Sequence, residues 1–169
     1  LPHLPNAPSQ HHYDLPSFQT YTARTSLPQS SSTYIGTHYE YTVQRALRSA
    51  GLNLHRVGGR ADAGVDLVGT WHLPGHLEHP VRVFVQCKAL RTKAGPNLVR
   101  ELEGAFRLSP SSALAGGSGG MQKVGVLVCP REATKGVRET LARSAFPLAW
   151  LMVETDGRIR QALWNPRVE

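Results

Sequence analysis

"VRVFVQCKAL", residues 81–90, decides the fold. Valines at 81, 83 and 85 alternate with Arg82, Phe84 and Gln86, and five of the first seven residues are β-branched, aromatic or cysteine. Such a run reads as a strand, the strongest β signal in the chain. It ends on Gln86, Cys87 and Lys88. Side chains alternate faces along a strand, so Gln86 and Lys88 share one face, about 7 Å apart, while Val83, Val85 and Cys87 take the other and pack under a helix. A buried strand that finishes on two polar side chains of one face is a strand with a site at its end.

The neighbours build outward from it. Upstream, "YIGTHYEYTVQRALRSAG" (34–51) carries Tyr39, Val43, Ala46, Leu47 and Ala50 at helical spacing, with Gly51 as the stop. "LNLHRVGG" (52–59) and "AGVDLVGTW" (63–71) read as strands, and "HLPGHLEHP" (72–80) as a polar connection. Downstream, "PNLVRELEGAFRL" (96–108) is an amphipathic helix with Pro96 near its start. "SPSSALAGGSGG" (109–120) is a loop. "KVGVLVC" (123–129) is a buried strand, 132–146 a helix, "LAWLMVE" (148–154) a buried strand and "RIRQALW" (158–164) an edge strand after the turn "TDG". The order α-β-β-β-α-β-α-β-β predicts an α/β fold: a mixed central β-sheet flanked by helices. Residues 1–33, with five Pro, six Ser, four Thr and one acid, are expected to be disordered or extended, and 34–169 to form one domain. That Ser-rich, acid-poor lead-in is also what could follow a removed organellar transit peptide.

The 169-residue chain has a net charge of +7 and a pI near 9.9. Residues 1–33 hold one base (Arg24) and one acid (Asp14), so the whole excess lies in the folded part. An anionic partner, nucleic acid first, is the expectation. Arg56, Arg60, Arg91, Lys93, Arg100 and Lys135 are the bases placed to follow phosphates, with Arg107 and Arg138 beside them. Cys87 and Cys129 sit in apolar runs without zinc-type spacing, as small buried hydrophobes of a reducing compartment. No run approaches the length of a membrane span. His72, His76 and His79 fall in a Pro/Gly loop and share no helix face, which argues against zinc. "YIG" at 34–36 lacks the upstream strand that a GIY-YIG nuclease needs. "GGSGG" at 116–120 lacks the Lys-Ser/Thr of a phosphate loop and is followed by a strand, so it reads as a linker.

Asp66, in "GVDLVG", lies on the strand before 81–90. Paired in register, Asp66, Gln86 and Lys88 make one cluster. Its carboxylate, amide oxygen and Cys87 backbone carbonyl are hard donors suited to Mg2+, with Mn2+ as substitute. A lysine beside such an ion can orient a water whose pKa the ion lowers. Glu40, on the inward stripe of the first helix with Val43 and Leu47, needs a partner, and that site is available. The bland alternative is a cross-strand Asp–Lys ion pair.

"THYEYTVQRALRSAGL", "GGRADAGVDLVG", "VFVQCKAL" and "VRELEGAF" together resemble the Mrr-like branch of the PD-(D/E)XK restriction-endonuclease-like superfamily over about residues 34–154. Within it they resemble fungal mitochondrial proteins linked to respiratory growth. The resemblance implies a restriction-endonuclease-like sheet and a mitochondrial (matrix) nuclease for genome maintenance, acting on DNA rather than RNA. By motif, Asp66 matches the metal-binding Asp, Gln86 the usual Asp or Glu, Lys88 the catalytic Lys and Glu40 the first-helix Glu, a further metal or water ligand. Gln86 removes one negative charge, which favours one ion over two. Asp62, on the approach turn, is assigned to local structure or substrate positioning ahead of metal binding. A homodimer is expected where both strands of a duplex are cut. The alternative functions are an inactive nucleic-acid-binding module on the same fold and an assembly protein in which Asp66 and Lys88 only pair.

Overall fold

The structure, a computed structural model, describes residues 9–57, 64–74, 80–108 and 122–168. Ten elements follow in order: α1 (Leu15–Thr25), α2 (Ser32–Arg48), β1 (Leu52–Arg56), β2 (Leu67–Trp71), β3 (Val81–Cys87), α3 (Asn97–Leu108), β4 (Lys123–Cys129), α4 (Lys135–Arg143), β5 (Leu148–Val153) and β6 (Ile159–Trp164). The six strands form one sheet in sequence order. β1–β2, β2–β3 and β5–β6 are antiparallel, while β3–β4 and β4–β5 are parallel. The predicted mixed α/β sheet with flanking helices is therefore what forms.

The parallel trio dictates where the helices go. β3 reaches β4 through α3, and β4 reaches β5 through α4. Two right-handed crossovers stepping in the same direction place both helices on one face. There Val99, Leu102, Val137 and Leu141 pack with Phe84, Leu127, Leu148 and Trp150. The other face is covered by α2, whose Tyr39, Val43 and Leu47 pack on Leu54, Leu67, Val83, Val85, Val126 and Val128. Because both faces are covered, β3 and β4 read as nearly continuous apolar runs. The parity read from the sequence holds: Val81, Val83, Val85 and the half-buried Cys87 face α2, and Phe84 lies on the α3 side.

The expectation of a disordered or extended lead-in is corrected for residues 15–25, which form helix α1. Asp14 caps it: its carboxylate accepts from the Ser17 N–H at 2.9 Å, and Ser17 Oγ accepts from the Asp14 N–H at 3.1 Å. Pro16 occupies the first turn, and Ser26 ends the helix at φ 53°. Leu15 and the fully buried Phe18 dock on Tyr41 of α2, with Tyr21 and Tyr34 beside them. His12 joins this small core through Nδ1, 2.7 Å from the Tyr41 hydroxyl. Burial, then the charge of Arg56, holds the His12 imidazole below its ordinary pKa. Composition hid α1 because its stability comes from aromatic contacts with α2. No helix among the described residues is long and apolar enough to cross a membrane.

Candidate functional site

The corner where β2 begins and β3 ends is held by backbone. Leu67 pairs with Val85, which places Asp66 opposite Gln86. The Asp66 N–H donates to the Val85 carbonyl at 2.9 Å, and the Asp66 carbonyl accepts from the Val57 N–H at 2.9 Å. Its carboxylate turns to β3, where Oδ2 accepts from the Cys87 N–H at 2.7 Å. Asp66 is thus fixed by the ends of β1 and β3 at once. The N–H and C=O of a residue in a strand point to the same edge, so the Cys87 carbonyl faces the Asp66 side too.

Gln86 is only 4% exposed. Its Oε1 is buried and accepts no hydrogen bond. Buried acceptors are nearly always satisfied, so this one calls for an explanation. Gly64 covers the same amide: at φ +80°, a Cβ there would lie 2.6 Å from Gln86 Nε2. A side chain at position 64 would both strain the backbone and displace the amide.

Lys88 follows on the Gln86 face. Its backbone N–H continues the ladder to the Val128 carbonyl at 2.9 Å, and its ammonium lies 2.9 Å from Glu101 Oε2 on α3. The ion pair of Lys88 therefore crosses to the helix, not to Asp66. Glu40, on α2, pairs with Arg56 of β1. Arg56 also donates from Nη2 to Thr37 Oγ1 at 3.4 Å and lies 5.6 Å over the Tyr41 ring. Two expectations are adjusted here. The partner found for Glu40 is Arg56, and Arg56 is turned inward to that carboxylate rather than out toward phosphates; its side chain is 15% exposed.

Cys87 registers both carboxylates. Burial, then Asp66, then Glu40 push its thiol well above the ordinary value. Burial likewise pushes Cys129 up to about 11. Neither thiol is poised as a nucleophile.

Of the expected phosphate-tracking bases, Arg91, Lys93, Arg100 and Lys135 are exposed. They lie in the segment after β3 or in the first turns of α3 and α4, all at the end of the sheet where β3 and β4 finish. Lys135 is 3.8 Å from Glu139. Arg107 is at the other end of α3, over the Phe146 ring at 5.2 Å. Arg138 donates to the Ala133 carbonyl. Arg60, Asp62, His76 and His79 lie outside the described residues, and His72 is 3.1 Å from Thr70 Oγ1. Glu101 and Gly64 belong to the site but were not singled out in the sequence. Glu101 looks like any solvent-facing helix charge, whereas Gly64 carried a signal in its place two residues before Asp66. Among the described residues no group of three or more His, Cys, Asp and Glu is arranged to hold a metal. The donors at this corner are one carboxylate, one amide oxygen and one carbonyl.

Both halves of this corner fall within one family match. Residues 31–79 and 74–168 match the family described as Required for respiratory growth protein 7. The chain belongs to that family. The two matched segments meet between β2 and β3, so Glu40 and Asp66 come from the first and Gln86 and Lys88 from the second. A mitochondrial protein of Schizosaccharomyces pombe, named as uncharacterized, is 37% identical over 142 residues, 82% of this chain and 53% of its own length. The Saccharomyces cerevisiae Required for respiratory growth protein 7, mitochondrial, is 27% identical over 188 residues, 84% of this chain and 76% of its own. Its namesake in Eremothecium gossypii is 32% identical over 130 residues, 56% of this chain and 54% of its own. The chain thus spans about half the length of the first and third relatives and three-quarters of the second. Like these relatives, the chain is mitochondrial. No solved structure matches it.

Proposed function

We propose that this protein is a metal-dependent nuclease of PD-(D/E)XK type, in the Mrr-like branch, hydrolysing phosphodiester bonds of mitochondrial nucleic acid, DNA ahead of RNA. One observation carries the reading. Asp66 sits opposite Gln86 on neighbouring strands, its carboxylate held at the end of β3, and the buried Gln86 Oε1 accepts no hydrogen bond, with a lysine next on the Gln86 face.

The donor chemistry fits a hard divalent cation. Asp66, Gln86 Oε1 and the Cys87 carbonyl would hold Mg2+ or Mn2+. When bound, such an ion lowers the pKa of a water and offsets phosphate charge. The rest falls to the chain's own groups. The Cys87 N–H fixes one carboxylate oxygen of Asp66 at 2.7 Å. Gly64 leaves the Gln86 amide the space that a Cβ at that position would fill. Lys88, two residues further along the face, brings a positive charge to an anionic phosphate and can orient the attacking water. Glu101 holds that ammonium until a phosphate competes for it. Glu40, anchored by Arg56, contributes carboxylate charge from the α2 side, where Cys87 feels it.

A second reading has a specific observation behind it. The cluster holds one carboxylate in hydrogen-bond contact with β3 and no third His, Cys, Asp or Glu among the described residues. That suits a nucleic-acid-binding module on the same fold that does not cleave.

The deciding assay incubates labelled DNA and RNA, single-stranded and duplex, with wild type, Asp66→Ala and Lys88→Ala in Mg2+ or Mn2+. Wild type is expected to cleave, and each variant to lose at least about 100-fold in rate, the scale of a lost acid–base or positioning group. Wild type that cleaves nothing, or variants that cleave as well as wild type, sinks the nuclease reading. Salt-dependent binding without cleavage would then support the module.

A further inference from the structure

A cavity of about 580 Å³ opens beside the candidate site, at the end of the sheet where β3, β4 and β5 finish. Parallel α/β sheets bind ligands at this end, where strands give way to loops. Its volume is within the range of small-ligand sites.

Three features of its wall are chemical. Tyr34 and His38, one turn apart on α2, line it as a stacked pair, with ring centroids 5.5 Å apart and planes 20° from parallel. Arg91, after β3, and Arg131, after β4, line it on the sheet side and are exposed. Glu154 and Asp156, after β5, are the carboxylates of the wall, and both are already engaged. Arg158 lies 2.7 Å from Asp156 Oδ2, and Arg160 lies 3.1 Å from Glu154 Oε2. Neither Arg91 nor Arg131 forms an ion pair among the described residues. Arg131 Nε donates to the Leu90 carbonyl at 3.3 Å, which ties the ends of β3 and β4 together across the cavity floor. The wall is thus an aromatic stack facing two guanidiniums whose charge is not offset.

We infer that this cavity receives one unpaired nucleotide of the nucleic-acid strand, its base against the Tyr34–His38 stack and its phosphate at Arg91 and Arg131. A base laid flat on protein rings has left its own helical stack. The substrate it fits therefore carries a single-stranded segment, as an end, flap or gap does, and a blunt duplex does not. The inference rests on the nuclease reading for its place next to Lys88. The Leu90 N–H closes a tight turn onto the Lys88 carbonyl at 2.8 Å, so the segment that leaves the candidate site enters the cavity wall within two residues.

Binding is measured by fluorescence anisotropy in EDTA, where no cleavage occurs. The probes are a labelled oligodeoxynucleotide and its blunt duplex. The single strand is expected to bind about tenfold more tightly than the duplex, within the range that base–aromatic stacking provides. Arg91→Ala/Arg131→Ala should weaken single-strand binding at least about tenfold and lower the slope of log K against log salt by about 0.7, one phosphate's worth. His38→Ala should weaken it as well, and His38→Phe should restore it, because stacking and not titration is required. Thermal melting checks that each variant folds. If loss of the Arg131 bridge unfolds the protein, the exposed Arg91→Ala carries the test alone, with part of that change in slope.

Arginine variants that bind like wild type overturn the inference, as does a blunt duplex that binds as well as the single strand. Displacement of the strand by equimolar free mononucleotide also overturns it, since the cavity then serves a small molecule. The two readings fail separately. Lost cleavage in Lys88→Ala beside unchanged binding in the arginine variants removes the cavity's role and keeps the nuclease. The expected binding pattern with a wild type that never cleaves does the reverse.

Discussion

Two ion pairs flank the end of β3, one in each helical layer, and they are built differently. On the α2 side, Glu40 and Arg56 are 14% and 15% exposed, and Thr37 and Tyr41 surround the guanidinium. On the α3 side, Lys88 and Glu101 are 30% and 46% exposed and hold each other in solvent. The first pair is fixed by packing, and breaking it would take a partner from a charge that water barely reaches. The second is screened by water and salt, and either partner can change companions at little cost. The α2 side is therefore the frame of the candidate site, and the α3 side is the part free to respond to a phosphate.

The frame is where the comparison is most easily broken. Arg56→Ala takes the guanidinium away from Glu40, which is 14% exposed, and removes the cation above Tyr41. A loss of about 3 kcal/mol in unfolding free energy is expected, the lower end of the range for a broken buried pair because some solvent still reaches it. Urea unfolding measures it. A loss under about 1 kcal/mol would put this pair in the same class as Lys88–Glu101 and remove the distinction between the two sides.

What could be read in the sequence follows the same division. β3 was legible because two covered faces demand an unbroken apolar run, and the polar pair at its end stood out against that run. β4 was read to its bounds, Lys123–Cys129, for the same reason. The meeting of Asp66 with Gln86 followed from one antiparallel register between neighbouring strands. The partners of Glu40 and Lys88 did not follow. Each comes from an element 13 or more residues away in sequence, Arg56 on β1 and Glu101 on α3, and only the seating of helix on sheet brings them together. α1 was lost for a related reason: its buried Phe18 gains its value from Tyr41 and Tyr34, which lie on another helix.

Between the two pairs lies Gln86, which belongs to neither and sharpens the comparison. Its buried Oε1 lacks a hydrogen bond, a condition that costs about 1–3 kcal/mol. Gln86→Leu removes that acceptor and should stabilise the apoprotein by about 1 kcal/mol, a rise of roughly 2–4 °C in Tm for a chain of this size. The same variant should lose any rise in Tm that Mn2+ gives wild type, because a ligand that binds the native state stabilises it in proportion to its binding. Thermal melting with and without Mn2+ reads both effects. A stabilised variant alongside a wild type that ignores Mn2+ would leave Gln86 as a polar defect with no cation to explain it.

The smallest expected effect on stability tests the responsive side. Glu101→Gln keeps the size of the side chain and removes the charge that holds Lys88. Both groups are more than a quarter exposed, so the loss should stay under about 0.5 kcal/mol. The functional signature should exceed the structural one. An ammonium no longer neutralised by Glu101 attracts an anionic strand more strongly, so KM should fall. The same ammonium, no longer held beside Gln86, positions water less well, so kcat should fall too, by less than about tenfold. A paired fall in KM and kcat at unchanged stability marks an exchangeable anchor. A loss of 2 kcal/mol or more, on the order of a broken buried pair, would instead make Glu101 part of the frame, and Lys88 would then be held from α3 as firmly as Glu40 is held from β1.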